Sequence, residues 1–154
     1  CEIGYIAKKN NKSVFDLLID CYKKYGFFLE ELISFNKEGE SGLEIINNII
    51  KKYRNNPPNR IAGIKVNFFE DYLKSINHNM ISDKTEKIKL PKSNVIIFRL
   101  EDDSMIAIRP SGTEPKIKFY ISVNKKFDSN KSWLSQKKVL EKKIEIIKNE
   151  FIEI

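Results

Sequence analysis

The stretch Met105–Val123, MIAIRPSGTEPKIKFYISV, determines which folds the rest of the chain can support. Apolar residues fill 105–108, and from residue 116 onward apolar and polar side chains alternate strictly. Alternation with a period of two is typical of a strand that buries one face. We therefore predict two neighbouring strands, joined by the polar segment RPSGTEP (109–115), with one face of the pair in a core and the other facing solvent or a site.

The RPSGTEP loop holds residue types that suit a phosphate ligand. Arg109 offers a planar fork that matches two phosphate oxygens, and its backbone is held at the end of a strand. Ser111 and Thr113 add hydroxyl donors. Gly112 between them allows the backbone to approach an anion, so that successive N–H groups converge on it. These features predict a phosphate-binding loop.

The residues that follow this loop also suit a phosphate site. Lys116 and Lys118 lie two apart on the polar face of the second strand, so we expect at least one to reach the loop mouth, and Glu114 to accept hydrogen bonds and point away. Charge-assisted hydrogen bonds contribute roughly 1.5–3 kcal/mol each, so a few of them are enough to bind a small anion.

The same local pattern also fits a plain hairpin loop with Arg109 as a surface residue.

The sequence contains no motif typical of a nucleotide-binding, metal-binding or nucleophilic catalytic site. The loop differs from the GxxxxGK[ST] motif, His78 is the only histidine, and no His, Cys or Asp residues have the spacing of metal ligands. We therefore predict no catalytic residue and no metal ligand here. The net charge of +7 suits a partner that carries phosphate, although the lysines are scattered rather than clustered.

The flanking sequence predicts the remaining elements of an α+β fold. We expect an antiparallel sheet of about four or five strands with two helices packed on one face, preceded by a short helical tail of another domain. The capping pattern Ser41–Glu44 predicts the start of one helix, and Gly63 is read as a possible bulge. The helices and strands are predicted near 13–25, 31–37, 41–53, 61–69, 95–100, 105–108, 117–123 and 132–151, and a polar loop near 74–92.

The domain organisation follows from the first residues. The chain starts with Cys1 rather than Met, which predicts a piece of a longer protein. Two short helices cannot form their own core, so we assign 1–28 to the C-terminal tail of a preceding domain and 29–154 to a phosphate-binding C-terminal domain. Two cysteines and no long apolar run predict a cytoplasmic protein that does not bind membranes.

Several motifs of this chain resemble the alpha-D-phosphohexomutase family. RPSGTEPKIKFY (109–120) resembles the signature loop and strand of the family's fourth domain, and YKKYGFF (22–28) resembles the end of its third domain. NPP (56–58) with IAGIKV (61–66), and LPKSNV (90–95), resemble its bacterial phosphoglucomutase branch. The resemblance covers essentially the whole chain, and it implies that 29–154 is the fourth, C-terminal domain of such an enzyme and 1–28 the tail of its third domain.

The resemblance implies an intramolecular phosphotransferase, an isomerase of carbohydrate metabolism that interconverts glucose 1-phosphate and glucose 6-phosphate. In this family a phosphoserine on the first domain exchanges its phosphoryl group with the sugar through glucose 1,6-bisphosphate, and an Asp-rich loop of the second domain holds Mg²⁺. The fourth domain binds the phosphate that is not reacting. The serine and metal loops have no counterpart here, so the chain alone is expected to be inactive.

Carried onto this sequence, the phosphate-contacting positions of the family are Arg109, Ser111, Gly112, Thr113 and Lys118. Some members have arginine where Lys118 stands. The expected partners are a hexose phosphate and the remaining domains of the same chain, not nucleic acid or membrane. Two alternatives remain: a phosphomannomutase or phosphopentomutase-like member of the same family, and a basic nucleic-acid-binding module whose open sheet presents Tyr120 and lysines to bases.

Overall fold

The computed structural model describes residues 2–37 and 40–152. It contains four helices and eight strands within these ranges. The helices are α1 Glu2–Lys9, α2 Val14–Tyr25, α3 Glu40–Asn55 and α4 Trp133–Phe151. The strands are β1 Phe27–Asn36, β2 Arg60–Ile61, β3 Ile64–Asp71, β4 Ile76–Asn79, β5 Lys84–Lys87, β6 Ile96–Leu100, β7 Met105–Pro110 and β8 Lys116–Lys125.

The strands form one antiparallel sheet in the order β1-β8-β7-β6-β3-β4-β5, with β2 paired to β3 beside this path. The α+β class and the antiparallel sheet are confirmed. The predicted strand count of four or five is low, because the described part of the chain has eight strands.

The segment 74–92 accounts for much of this difference, since the prediction of a loop there is wrong. β4 and β5 form an edge hairpin in which Asn79 pairs with Lys84. All four residues of β5 are exposed, whereas those of β4 are partly buried, and Ile76 is the only apolar residue in the two strands. Hydrophobic alternation cannot identify such a hairpin.

The turn before β3 also differs from the prediction. Ala62 and Gly63 both have positive φ, 51° and 74°, and join β2 to β3 as a two-residue hairpin turn. Gly63 therefore lies in a turn, where positive φ favours glycine. The register shift in β3 falls later, between Val66 and Phe68.

The core lies between the sheet and the helices α3 and α4, both of which contact β8. The residues of β8 that face this core are fully buried, with Ile117, Phe119 and Val123 at 0 % exposure. The predicted stripe of α4 is confirmed, since Leu140, Ile144, Ile147 and Phe151 are all buried.

The start of α3 was predicted one residue too late. The helix begins at Glu40, so Ser41 is already helical and does not cap it. Ile46, Ile50 and Tyr53 of the predicted stripe are buried, whereas Leu43 is exposed. The stripe is therefore one turn shorter than the periodicity indicated.

The N-terminal helix α2 is attached to the sheet through aromatic rings. Ser13 and Asp16 form the predicted capping box, and Gly26 ends the helix with φ of 97°. The ring of Tyr22 stacks on that of Phe27, the first residue of β1, at 4.4 Å between centroids. The division of the chain between residues 28 and 29 stays a prediction.

The β6–β7 turn is tethered to α4 by a charged group. Lys143 donates to the carboxylate of Asp102 and to the hydroxyl of buried Ser104, the latter at 2.7 Å. Burial raises the pKa of Asp102, but hydrogen bonds from Lys143 and Ser104 outweigh it and lower the pKa overall. These bonds fix the start of β7, the strand that carries Arg109.

No helix in the described ranges is both long and apolar enough to cross a lipid bilayer.

Candidate functional site

The register of β7 and β8 brings two of the predicted phosphate contacts together. Arg109 near the end of β7 pairs directly with Lys118 near the start of β8. Their neighbours Ile108 and Phe119 are buried among the core residues, so both cations lie on the opposite side of the sheet. We call this side, which carries Arg109, Lys118 and Tyr120, the open face.

A pocket of about 370 Å³ lies where the RPSGTEP loop meets the open face. All five residues predicted to contact phosphate line it. The complete lining consists of Arg109, Pro110, Ser111, Gly112, Thr113, Glu114, Lys116, Lys118 and Tyr120. We call it the cationic pocket.

Hydrogen bonds within the loop hold its donors in place. The Ser111 amide donates to the Lys116 carbonyl at 2.7 Å and closes the base of the loop. The Ser111 hydroxyl oxygen accepts from the amides of Thr113 at 3.4 Å and Glu114 at 3.2 Å. Two backbone N–H groups thus converge on one oxygen, an arrangement similar to the anion-binding concavities made by successive amides.

The lining of the pocket carries more positive than negative charge. Arg109, Lys116 and Lys118 make no ion pair with any residue of 2–37 or 40–152. Glu114 also lines the pocket, and its carboxylate receives no hydrogen bond from the described residues, so the predicted bonds to it are wrong. Three cations and one carboxylate leave the pocket with an excess of positive charge, and a bound anion would relieve the repulsion among the cations.

The role of Gly112 differs from that of a turn glycine. Its φ is not positive, and a Cβ built on it would meet no atom within 4 Å. An alanine could therefore adopt this backbone without strain. What glycine provides here is open space over the backbone at the pocket mouth, which a ligand can occupy.

The first turn of α3 supports the loop from behind, which the sequence did not predict. A Cβ on Gly42 would lie 2.3 Å from the Lys37 carbonyl oxygen and 3.0 Å from Cβ of Pro115. The Lys37 amide donates to the Pro115 carbonyl at 2.9 Å. The only signal in the sequence was the glycine itself, which we had read as part of a capping pattern.

We expect Gly42→Ala to lower the free energy of unfolding by about 1–3 kcal/mol, because the new methyl group overlaps backbone that cannot move freely. Helix propensity alone would make the substitution stabilising by about 1 kcal/mol. The sign of the change in urea unfolding therefore separates the two effects.

Gly112→Ala is the matched control for this experiment, since its methyl group meets nothing. It is expected to alter stability by no more than about 0.5 kcal/mol. If Gly42→Ala were stabilising, the close contact between α3 and the loop would not exist in solution.

No metal centre accompanies the pocket. Within residues 2–37 and 40–152, no group of three or more His, Cys, Asp or Glu side chains is arranged to hold a metal ion.

The fold and the pocket together define an α+β domain with a cationic site at a strand–loop–strand junction. In sequence the chain is similar to phosphoglucomutases of Staphylococcus aureus: 46% identical over 116 residues to that of strain USA300, and 44% to that of strain MRSA252. These matches cover 75% of this chain and 21% of the relatives, so the chain spans about a fifth of their length. No family model matches it.

These similarities confirm the resemblance to the phosphohexomutase family, and they fit a C-terminal fragment of such an enzyme. Among solved structures, the chain is similar to the open form of the exocytosis-sensitive phosphoprotein parafusin, a phosphoglucomutase from Paramecium. That likeness has a TM-score of 0.45 and 14% identity, and covers 90% of this chain and 24% of that one.

Proposed function

We propose that this chain is the phosphate-binding C-terminal domain of a phosphoglucomutase that interconverts glucose 1-phosphate and glucose 6-phosphate. The observation that supports it most strongly is the cationic pocket, where three cations that form no ion pair with the described residues meet the donors of the RPSGTEP loop. The names of the Staphylococcus aureus relatives supply the enzyme class.

Each predicted contact has a distinct task in this proposal. Arg109 donates two parallel hydrogen bonds to the phosphate, and Lys118 beside it adds a second positive charge. The hydroxyls of Ser111 and Thr113 donate to the remaining oxygens. Gly112 leaves room for the phosphate to reach the backbone amides.

This domain would hold the phosphate that is not reacting. Phosphoryl transfer depends on positioning and charge stabilisation, so binding of the remote phosphate is converted into orientation of the reacting one. The catalytic serine, the Mg²⁺ loop and the sugar-recognition loop would belong to the other domains of the same chain. Glucose 1,6-bisphosphate would be the intermediate, and the cytoplasm the compartment.

Two related activities would use the same phosphate site. A phosphomannomutase or a phosphopentomutase-like enzyme differs in the sugar, and in this family the sugar hydroxyls are recognised by the third domain. Nucleic acid and membrane are not among the proposed partners. A basic nucleic-acid-binding module would lose affinity steeply as salt rises, because each phosphate contact releases counter-ions.

Titration of the chain with glucose 1-phosphate tests the site directly. We expect amide chemical-shift changes centred on residues 109–118 and a dissociation constant near 1 mM or weaker, since one such site supplies only about 4 kcal/mol. Arg109→Ala should abolish these changes. Lys142→Ala is the control, because Lys142 is an exposed lysine of α4 outside the pocket. Shift changes concentrated elsewhere would count against the proposal.

Gly112→Ala separates binding from folding. The added methyl group has free space in the unliganded protein, so stability should hold, but it fills the volume that the phosphate needs. We expect glucose 1-phosphate to bind at least about tenfold more weakly, which corresponds to roughly 1.4 kcal/mol. Unchanged affinity in this variant would mean that the phosphate does not contact the loop backbone.

A further inference from the structure

Tyr120 has a position on β8 for which the fold gives no structural reason. Its ring is 36 % exposed on the open face, and it forms no aromatic pair with the described residues. Its hydroxyl also has no hydrogen-bond partner among them. Exposed rings are common on protein surfaces, and what distinguishes Tyr120 is that its ring lines the cationic pocket.

The surroundings of Tyr120 form an apolar floor beside the cationic pocket. Tyr120 lies two residues beyond Lys118 on the same face, about 7 Å along the strand. Its cross-strand neighbours are Ala107, which is too short to cover the ring, and Leu32, which is 52 % exposed. A second pocket of about 470 Å³ contains these three residues and Met105. Tyr120 lines both pockets, so the two lie next to each other on either side of its side chain.

We propose that the ring of Tyr120, together with Leu32, forms the surface on which the sugar ring of a hexose phosphate lies while the RPSGTEP loop holds its phosphate. This inference rests on the proposed function and adds to it a residue that selects phosphate esters over free phosphate. The C–H face of a pyranose packs on an aromatic ring, and one ester oxygen connects it to a phosphate within reach of Lys118. The unpaired hydroxyl of Tyr120 can bond a sugar hydroxyl at the edge of the ring.

The charge pattern along the open face favours a single phosphate with a single ring over a nucleic-acid strand. Arg109, Lys116 and Lys118 gather at one end. Beyond Tyr120 the next position on β8 is Ser122, which pairs with exposed Glu30. A nucleic-acid strand needs cations that follow its backbone, whereas a second phosphate here would meet a carboxylate.

The test compares two ligands on the 154-residue chain. Inorganic phosphate and glucose 1-phosphate are titrated into the wild type and into Tyr120→Ala, with the amides of Gly112 and Thr113 as the readout. We expect the dissociation constant of glucose 1-phosphate to rise about three- to tenfold in Tyr120→Ala, and that of inorganic phosphate to stay within about twofold. Tyr120→Phe should lose only the smaller part that its hydroxyl contributes.

Control variants keep the result interpretable. Tyr5→Ala removes a tyrosine of α1 that is more exposed than Tyr120 and does not line the cationic pocket, so it should change neither constant. Tyr120→Leu keeps apolar volume without a flat ring, and it replaces Tyr120→Ala in the comparison if the latter is unfolded. The inference is overturned if glucose 1-phosphate loses no affinity, or if both ligands lose it equally. If neither ligand shifts residues 109–118 of the wild type, the proposed function itself has failed.

Discussion

Replacing Arg54 by methionine is expected to lower the free energy of unfolding by about 3–5 kcal/mol, the cost of leaving a buried charge without its partner. The Arg54 Nε atom lies 3.0 Å from Oδ2 of Asp71, and the exposed fractions of the two side chains are 9 % and 0 %. Arg54 also donates to the Asn94 side chain at 2.7 Å. It therefore joins α3, the end of β3 and the segment before β6. Urea unfolding followed by circular dichroism measures the loss.

The matched control is Lys51→Met, one turn earlier on the same helix, where the side chain is exposed. It should change stability by no more than about 0.5 kcal/mol. Asp71→Asn in the Arg54→Met background removes the orphaned charge and retains an acceptor for the amides of Leu73 and Lys74. We expect the double variant to be more stable than Arg54→Met. Equal losses at Lys51 and Arg54 would contradict the buried pair.

The strands around the RPSGTEP loop could be predicted from the sequence because their buried positions are apolar and their exposed positions are polar. Ile117, Phe119, Ile121 and Val123 alternate with polar residues, and all four are buried in the structure. Helix α4 was predictable for the same reason, since its apolar residues recur at the helical period and meet this surface. Where one face of a helix or strand is buried, the spacing of its apolar residues is sufficient to predict that helix or strand from the sequence.

Features that depend on long-range pairing could not be predicted. The β4–β5 hairpin is held by backbone hydrogen bonds between polar residues, which leave no hydrophobic pattern. The ion pair of Arg54 with Asp71 has no signal in the neighbouring sequence, because only the fold places the end of α3 beside the end of β3. The contact of Gly42 with Pro115 likewise requires the position of α3 relative to the loop.

The sequence predicted which residues form the candidate site, but it did not predict how they are arranged. The residue types of 109–118 indicated affinity for phosphate, and all five predicted contacts line one pocket. The direct pairing of Arg109 with Lys118 depends on loop length and register, because a shift by one residue would place one of the two cations on the core face. That these cations form no ion pair in the part of the chain that the structure describes is likewise a property of the fold.

If the proposed function is correct, replacing Arg109 by alanine in the complete phosphoglucomutase lowers kcat/KM by roughly 30- to 1000-fold, equivalent to about 2–4 kcal/mol. The fork of Arg109 is lost, and Lys118 is left as the nearest charge. Because a sugar phosphate held by one end samples more orientations, the loss should appear both as a higher KM and as a lower kcat. Steady-state assays with glucose 1-phosphate measure both.

Three further measurements assign this loss to the phosphate contact. Arg109→Lys retains the charge without the fork, so it should recover only part of the activity. Guanidinium ion added to Arg109→Ala should restore some turnover, because the vacated space has the shape of that cation. Arg60→Ala removes an exposed arginine outside the cationic pocket, whose guanidinium donates to the Gly63 carbonyl, and it should leave both constants unchanged. Normal kinetics in Arg109→Ala would mean that the cationic pocket does not hold the substrate phosphate, whatever else binds there.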